Sequence, residues 1–398
     1  TFPTIKLLVI LINQDFKEDC ISNIILSKTI EYLHRIKSNP DVCDLQFIKD
    51  KAFDFCRRQA FKIALEKACE DVLNDNYDNV VNRLKNAICA GTPTSFGHDF
   101  FNDYEKRFSN STRNPIPTGM YEFDKKEILN GGLGRGELGV IIGGAGVGKS
   151  HFLVMLGSNA IKLGLNVLHY TFELSEVISG IRYDSNICEI SSTDVTDNKE
   201  KILNTYSDLK SSLGNLWIKE YPSRFATINT LRTHLEKLYL TKNFFPDLII
   251  IDYADIMRST KGYDSLRHEL KLIYEDLRSW AVEINVPIWT GSQANRESFD
   301  HEVVELKSIS EAYAKAMVAD VIVSISRKIS DRINNSGRLH IAKNRAGRDG
   351  IVFNVEIDTS MSKFNIINEY SSMEEVSAEK KNEFEETLKK KWKELKDN

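Results

Sequence analysis

The residues best equipped for chemistry are Gly143, Gly144, Ala145, Gly146, Val147, Gly148, Lys149 and Ser150, followed by His151. Their spacing, G-x-x-x-x-G-K-S, puts glycines where backbone N–H groups close around phosphate oxygens without a Cβ in the way. It also supplies a lysine to reach the β- and γ-phosphates and a hydroxyl for Mg²⁺. The apolar run 138–142 leads in and a helix-compatible stretch, 152–160, follows, so the context is strand, glycine loop, helix. The helix N-terminus adds its partial positive charge. Residues 143–151 are therefore expected to bind ATP or another nucleoside triphosphate, with Ser150 on Mg²⁺.

Further along the chain stand groups that such a site needs. Asp247-Leu248-Ile249-Ile250-Ile251-Asp252 is an apolar strand ending in a carboxylate suited to the Mg²⁺ shell. Tyr253 follows rather than a glutamate, so the water-activating carboxylate must come from elsewhere. Glu173 sits at the carboxyl end of the apolar stretch 167–172, where open α/β sheets place their sites, and is expected to orient the attacking water; the alternative is a solvated glutamate at a strand end. Pro287 to Ser292 forms another apolar strand that runs into Gln293, whose amide can sense hydrolysis and pass the change to adjacent loops. Lys343 and Arg345 fall on an expected hairpin around 340–347. As an arginine finger, Arg345 would reach the γ-phosphate of a neighbouring subunit's nucleotide; otherwise the pair is solvated. This set of parts resembles that of RecA-type ATPases.

Elements able to position these groups are legible around them. Short apolar strands are expected at 138–142, 166–172, 216–219, 247–252, 287–292 and 320–325, with helices at 149–162, 228–239 and 264–284. Terminal antiparallel strands are expected at 339–343, 352–357 and 364–367. Strands separated by helices imply βαβ units, so the fold class is α/β, a RecA-like P-loop ATPase domain with a mostly parallel sheet. A small all-helical domain precedes it over residues 1–90, with a long amphipathic helix from Phe47 to Leu73 and another from Val80 to Ile88. Gly91 to Pro117 reads as a linker with a short helix at 103–108, and 118–370 as the ATPase domain. The last stretch, 371–398, is charged, with Phe384, Leu388, Trp392 and Leu395 on one stripe: a solvated helical tail or a docking helix.

Composition is ordinary for a globular chain, 41% hydrophobic and 28% charged over 398 residues. The formal charge of -4 means that any nucleic-acid surface must be a local patch. Six cysteines without C-x-x-C pairing argue against a zinc site and for reduced thiols in a cytoplasm-like compartment. The apolar run 5–12 is too short to span a bilayer and is expected to be buried.

Taken together, the glycine loop, Tyr170-Thr171-Phe172-Glu173-Leu174, Ile250-Ile251-Asp252-Tyr253, Ser292-Gln293-Ala294-Asn295-Arg296 and Lys343-Asn344-Arg345-Ala346-Gly347 resemble, in order and interval, the hexameric replicative helicases of the DnaB type, and within them the branch of T-even-like bacteriophages. The likeness covers about 118–367. The resemblance implies a homo-hexameric ring that encircles single-stranded DNA, moves 5′ to 3′ by hydrolysing ATP, and works with a primase and a helicase loader. By that analogy Lys149, Ser150, Asp252, Glu173 and Gln293 act in cis and Lys343 and Arg345 in trans. The family's Arg-rich, Gly-containing DNA loop has a different counterpart here: 304–315 lacks the glycine and offers Lys307 and Lys315, with Arg296 before them, as DNA contacts. Two other functions stay open: a filament-forming strand-exchange ATPase, and a slowly hydrolysing nucleotide-binding scaffold. The first is disfavoured by the helical N-terminal region and the K-x-R hairpin, the second by the presence of both Glu173 and Gln293.

Overall fold

The computed structural model describes residues 23–38, 55, 56, 58–69, 80, 98–103, 105, 108, 113–260, 266–294 and 317–370. The chain divides into two units, Thr1–Tyr104 and Glu105–Asn398. In the first, α1 (Asn23–Ser38) and a helix α2 over 58–69 are described, the latter burying Ala64 and Ala68. The expected apolar run 5–12, most of the linker and the tail 371–398 lie outside the described residues.

The second unit is built on strands β1 (Leu138–Gly143), β2 (Val167–Thr171), β3 (Leu216–Glu220), β4 (Leu248–Asp252), β5 (Ile288–Gln293), β6 (Val321–Ser326), β7 (Ser336–Asn344), β8 (Val352–Asp358) and β9 (Lys363–Tyr370). They form one sheet in the order β3-β2-β4-β5-β1-β6-β7-β8-β9. From β3 to β6 every pairing is parallel, and from β6 to β9 every pairing is antiparallel. The helices are α3 (Tyr121–Asp124), α4 (Lys149–Lys162), α5 (Glu176–Cys188), α6 (Lys199–Leu209), α7 (Ile228–Lys242), α8 (Leu266–Ile284) and α9 (Ile329–Ile333).

The strand sequences explain the layering. Every residue of β1, β2, β4 and β6 is buried, as expected of parallel strands covered on both faces. Side chains alternate along each strand. In β1, Ile141 joins Phe152, Leu153 and Tyr183 in one core layer, while Val140 and Ile142 join Tyr274, Leu277 and Trp280 in the other. Gly139 is required by close approach, since a Cβ there would lie 2.3 Å from the Trp289 ring on β5. The edge strand β3, in contrast, has no fully buried residue.

Helices α5 and α6 were not expected from the sequence. Helix α5 carries Ser179, Gly180 and Ser185 in its interior, all weak helix formers, and its buried face includes the polar Ser185 and Asn186. Packing and a cap supply what propensity does not: Ser175 Oγ accepts from Ile178 N at 3.2 Å, and Ser185 Oγ donates to the Ser360 carbonyl at 2.8 Å. The N-terminal end of the parallel strands is fixed by Asp320, almost wholly buried, which accepts from Leu138 N at 2.9 Å and from Arg278 Nη2 at 3.3 Å, with Arg278 Nε 2.6 Å away in the same ion pair. No helix among the described residues is long and apolar enough to cross a membrane.

One buried group couples this core to pH. His169 on β2 is 1% exposed, with Nδ1 2.9 Å from the Tyr183 hydroxyl and Nε2 unpartnered. Burial, with Arg182 nearby, pushes its pKa down to about 3. The unfolded chain therefore binds a proton below pH 6.5 that the folded chain does not, so stability present at neutral pH is lost as pH falls. Between pH 7.5 and 5 this one group is expected to remove about 2 kcal/mol. The loss of thermal stability over that range should be smaller by that amount in His169→Gln; an identical pH dependence in both proteins would contradict it.

Candidate active site

The parallel register brings the expected catalytic groups to one end of the sheet. Gly143 closes β1 abreast of Gln293 on β5, and Thr171 of β2 lies abreast of Asp252 on β4, with Glu173 two residues on. A cavity of about 510 Å³ at that end is lined by Lys149, Ser150, Glu173, Tyr253 and Gln293, among others, with Asp252 buried beneath its lining. Separation of more than a hundred residues in sequence is cancelled by adjacency in the sheet.

The glycine loop joins β1 to the first turn of α4. Gly148 is the N-cap of α4 with φ 110°, a conformation open to glycine, and no side chain caps the helix. The first-turn N–H groups are thus left to face the loop, where they suit phosphate oxygens. Lys149 Nζ donates to the carbonyls of Gly143 at 3.0 Å and Gly144 at 2.7 Å, so the ammonium is held across the loop mouth. Burial lowers its pKa, and the charges of Asp252, Glu173 and Asp255 oppose that shift. Val147 is the exception among the loop residues: its side chain is buried in the core, leaving only its backbone for a ligand. His151 lines the cavity with Nδ1 2.8 Å from Ser362 Oγ; burial and the charges of Arg182 and Arg327 push its pKa down to about 4, leaving it neutral at pH 7.

Asp252 is 2% exposed. Desolvation pushes its pKa up to about 6, and the Glu173 charge acts in the same direction, while a hydrogen bond with Ser150 and the charges of Arg182 and Lys149 oppose it. A buried carboxylate beside a second carboxylate and a serine hydroxyl is an all-oxygen donor set. Mg²⁺ fits it by chemistry, and the cation's charge would relieve the desolvation. No group of three or more His, Cys, Asp or Glu suited to a metal occurs among the described residues, so the nucleotide's own oxygens would have to complete the shell.

The structure adds residues that sequence reasoning did not single out. Arg182, on α5, lines the cavity and is coupled electrostatically to Asp252 and Glu173. It lies on one of the unexpected helices, which is why it was missed. Arg332, on α9, donates to the Ala145 carbonyl at 3.3 Å across the loop. Asp255 ties the end of β4 to β5: its carboxylate accepts from Gln293 N at 2.9 Å, Ser292 Oγ at 3.1 Å and Tyr274 Oη at 2.7 Å. An acid three residues past Asp252 was a visible but unspecific signal.

Lys343 and Arg345 do not join this site. Asn344 pairs with Val321, the first residue of β6, whereas Gly143 pairs with Ile325 near that strand's end. The pair therefore sits at the opposite edge of the sheet, roughly 13 Å or more along the strands from its own loop. There Lys343 Nζ donates to the Ala319 carbonyl at 2.7 Å, and Arg345 donates to the Met317 carbonyl at 2.9 Å and pairs with Asp320 at 3.2 Å. Arg296, Lys307 and Lys315, expected to contact DNA, lie outside the described residues.

With the geometry in hand, known proteins give the lineage. The chain is 32% identical over 253 residues to the DnaB-like replicative helicase of Enterobacteria phage T4, covering 61% of this chain and 53% of that protein. It is 26% identical over 266 residues to a probable replicative DNA helicase of Trieres chinensis, covering 63% and 56%. The chain thus spans about half the length of the curated relatives it matches. The solved structure of a DnaB-like replicative helicase, described with its interactions with primase, shares the fold at a TM-score of 0.57 and 18% identity, over 85% of this chain and 83% of that one. Residues 115–366, well over half of the chain, match the model of the DnaB-like helicase C terminal domain, and the chain belongs to that family.

Proposed function

We propose that this chain is the motor of a replicative DNA helicase, an enzyme that hydrolyses ATP or another nucleoside triphosphate to move 5′ to 3′ on single-stranded DNA and separate the duplex. One observation carries the reading. The glycine loop, Glu173 and Asp252 share one end of the sheet, while the Lys343–Arg345 pair stands at the other. Such a division suits a site completed by a neighbouring copy, and a homo-hexameric ring supplies one at every interface.

In this mechanism the glycine loop and the first turn of α4 bind the β- and γ-phosphates, and Lys149 leaves the carbonyls of Gly143 and Gly144 for the γ-phosphate. Glu173 orients the attacking water and takes its proton as the bond from γ-phosphorus to the β–γ bridging oxygen breaks. Ser150 and Asp252 would hold Mg²⁺, whose charge would neutralise that of the phosphates. Arg182 in cis, and Lys343 and Arg345 from the next copy, stabilise charge on the transferred group. Gln293 reports the change through Asp255, to which its backbone is bonded. DNA contacts at Arg296, Lys307 and Lys315 follow the sensor strand, where a hydrolysis signal can reach them. A primase and a helicase loader are the expected protein partners, and a cytoplasmic location accords with the reaction's need for cellular nucleotide.

Glu173→Gln should keep nucleotide affinity while lowering turnover by about 100-fold or more; undiminished turnover would remove Glu173 from the mechanism. Below pH 6, Asp252 is protonated in the cation-free protein, so Mg²⁺ must displace a proton. The half-saturating Mg²⁺ concentration for nucleotide hydrolysis should rise about tenfold per pH unit below 6 and stay flat above it; a flat profile down to pH 5 would contradict the assignment. Arg345→Ala should bind nucleotide normally, lose about 1,000-fold in DNA-stimulated hydrolysis, and inhibit wild-type protein on mixing by more than its share. Activity falling in simple proportion to the mutant fraction would exclude a role in trans.

A further inference from the structure

Pro222-Ser223-Arg224-Phe225-Ala226 turns from β3 into α7 at the same edge of the sheet as the nucleotide cavity. Two backbone hydrogen bonds hold the turn against the segment that continues β4 past Asp252: Arg224 N donates to the Ile256 carbonyl at 2.7 Å and Arg258 N to the Ala226 carbonyl at 3.0 Å. On its other side, Ser223 Oγ donates to the Phe172 carbonyl at 3.0 Å, one residue before Glu173. The turn is thus fastened to the chain on both sides of the hydrolytic carboxylates.

What it presents outward is two cations and a ring. Arg224 and Arg258 are exposed, and neither guanidinium has an ion-pair partner among the described residues. Phe225 between them in the bonded pair of segments is 63% exposed. Arg224 adopts φ 57°, a left-handed conformation that L-residues other than Asn and Asp rarely take. Strained backbone that puts an arginine and a phenylalanine into solvent has no stabilising return within the fold, and outliers of this kind accompany ligand contacts. Ala226 is fully buried at the base of the same turn, so the display is anchored rather than frayed.

We infer that the Arg224–Phe225 turn, with Arg258 beside it, is a contact surface for single-stranded polynucleotide. The guanidinia pair with successive backbone phosphates and the Phe225 ring stacks on a base, a combination that binds without regard to sequence. The inference rests on the helicase reading and extends it to residues at the end of β3, none of them among the DNA contacts expected from the sequence. Through Ser223 and Phe172 the strand's presence is passed to Glu173, giving DNA a direct route to the hydrolytic base.

The test uses the full chain, a fluorescein-labelled dT oligomer followed by anisotropy across a KCl series, and nucleotide hydrolysis with and without unlabelled oligomer. Arg224→Ala combined with Arg258→Ala should weaken oligomer binding about tenfold and reduce the steepness of log Kd against log salt by about 1.4, the share of two phosphate contacts. Phe225→Ala should weaken binding about tenfold with the salt slope unchanged, since stacking releases no counterions. Hydrolysis without DNA should match wild type in both, which also reports intact folding, and the oligomer concentration for half-maximal stimulation should rise in step with Kd. Arg224→Lys with Arg258→Lys should keep the wild-type slope. Wild-type binding with an unaltered Kd and slope in the double alanine variant would overturn this inference alone. Failure of the wild-type protein to bind the oligomer would overturn the helicase reading and this inference with it.

Discussion

The structure depends on a carboxylate kept where water cannot solvate it. Asp252, 2% exposed at the tip of β4, is raised to about 6 yet still ionised at neutral pH. An ionised group in such a place must be compensated. Its surroundings do so: Ser150 bonds to it, and Arg182 and Lys149 face it electrostatically. Those three come from the start of α4 and from α5, so the positions of both helices are tied to the same charge.

The parallel register makes this possible. Buried strands β1, β2, β4 and β5 end side by side, and each end delivers one group: the glycine loop, Glu173, Asp252 and Gln293. The antiparallel extension β6 to β9 does the opposite, returning the chain so that Lys343 and Arg345 lie at the far edge of the sheet. One sheet thus keeps the glycine-loop cavity and the Lys343–Arg345 pair at opposite ends, and Asp320 organises the far end, with Leu138 N, Arg278 and Arg345 all meeting its carboxylate.

Much of this was legible in the sequence because local rules and global need agree there. The apolar runs that end at Gly143, Asp252 and Gln293 read as buried strands without any knowledge of their neighbours, and the glycine spacing fixes the loop between β1 and α4 to the residue. What escaped was held by tertiary contacts. Helix α5 is interrupted by weak helix formers and buries polar side chains, so Arg182 went unnoticed with it. The Arg224–Phe225 turn has no motif at all; its interest lies in a left-handed backbone and in bonds to segments about 30 and 50 residues away. The position of Arg345 relative to its own loop follows from the strand order, which periodicity does not encode.

The central claim is that one copy alone lacks a complete site. It is tested most directly by following nucleotide turnover per subunit, with Mg²⁺ and single-stranded DNA, as the protein is diluted, while native mass records the assembly at each concentration. Turnover per subunit should collapse as multi-subunit complexes give way to single chains. Constant turnover per subunit through that transition would contradict the account.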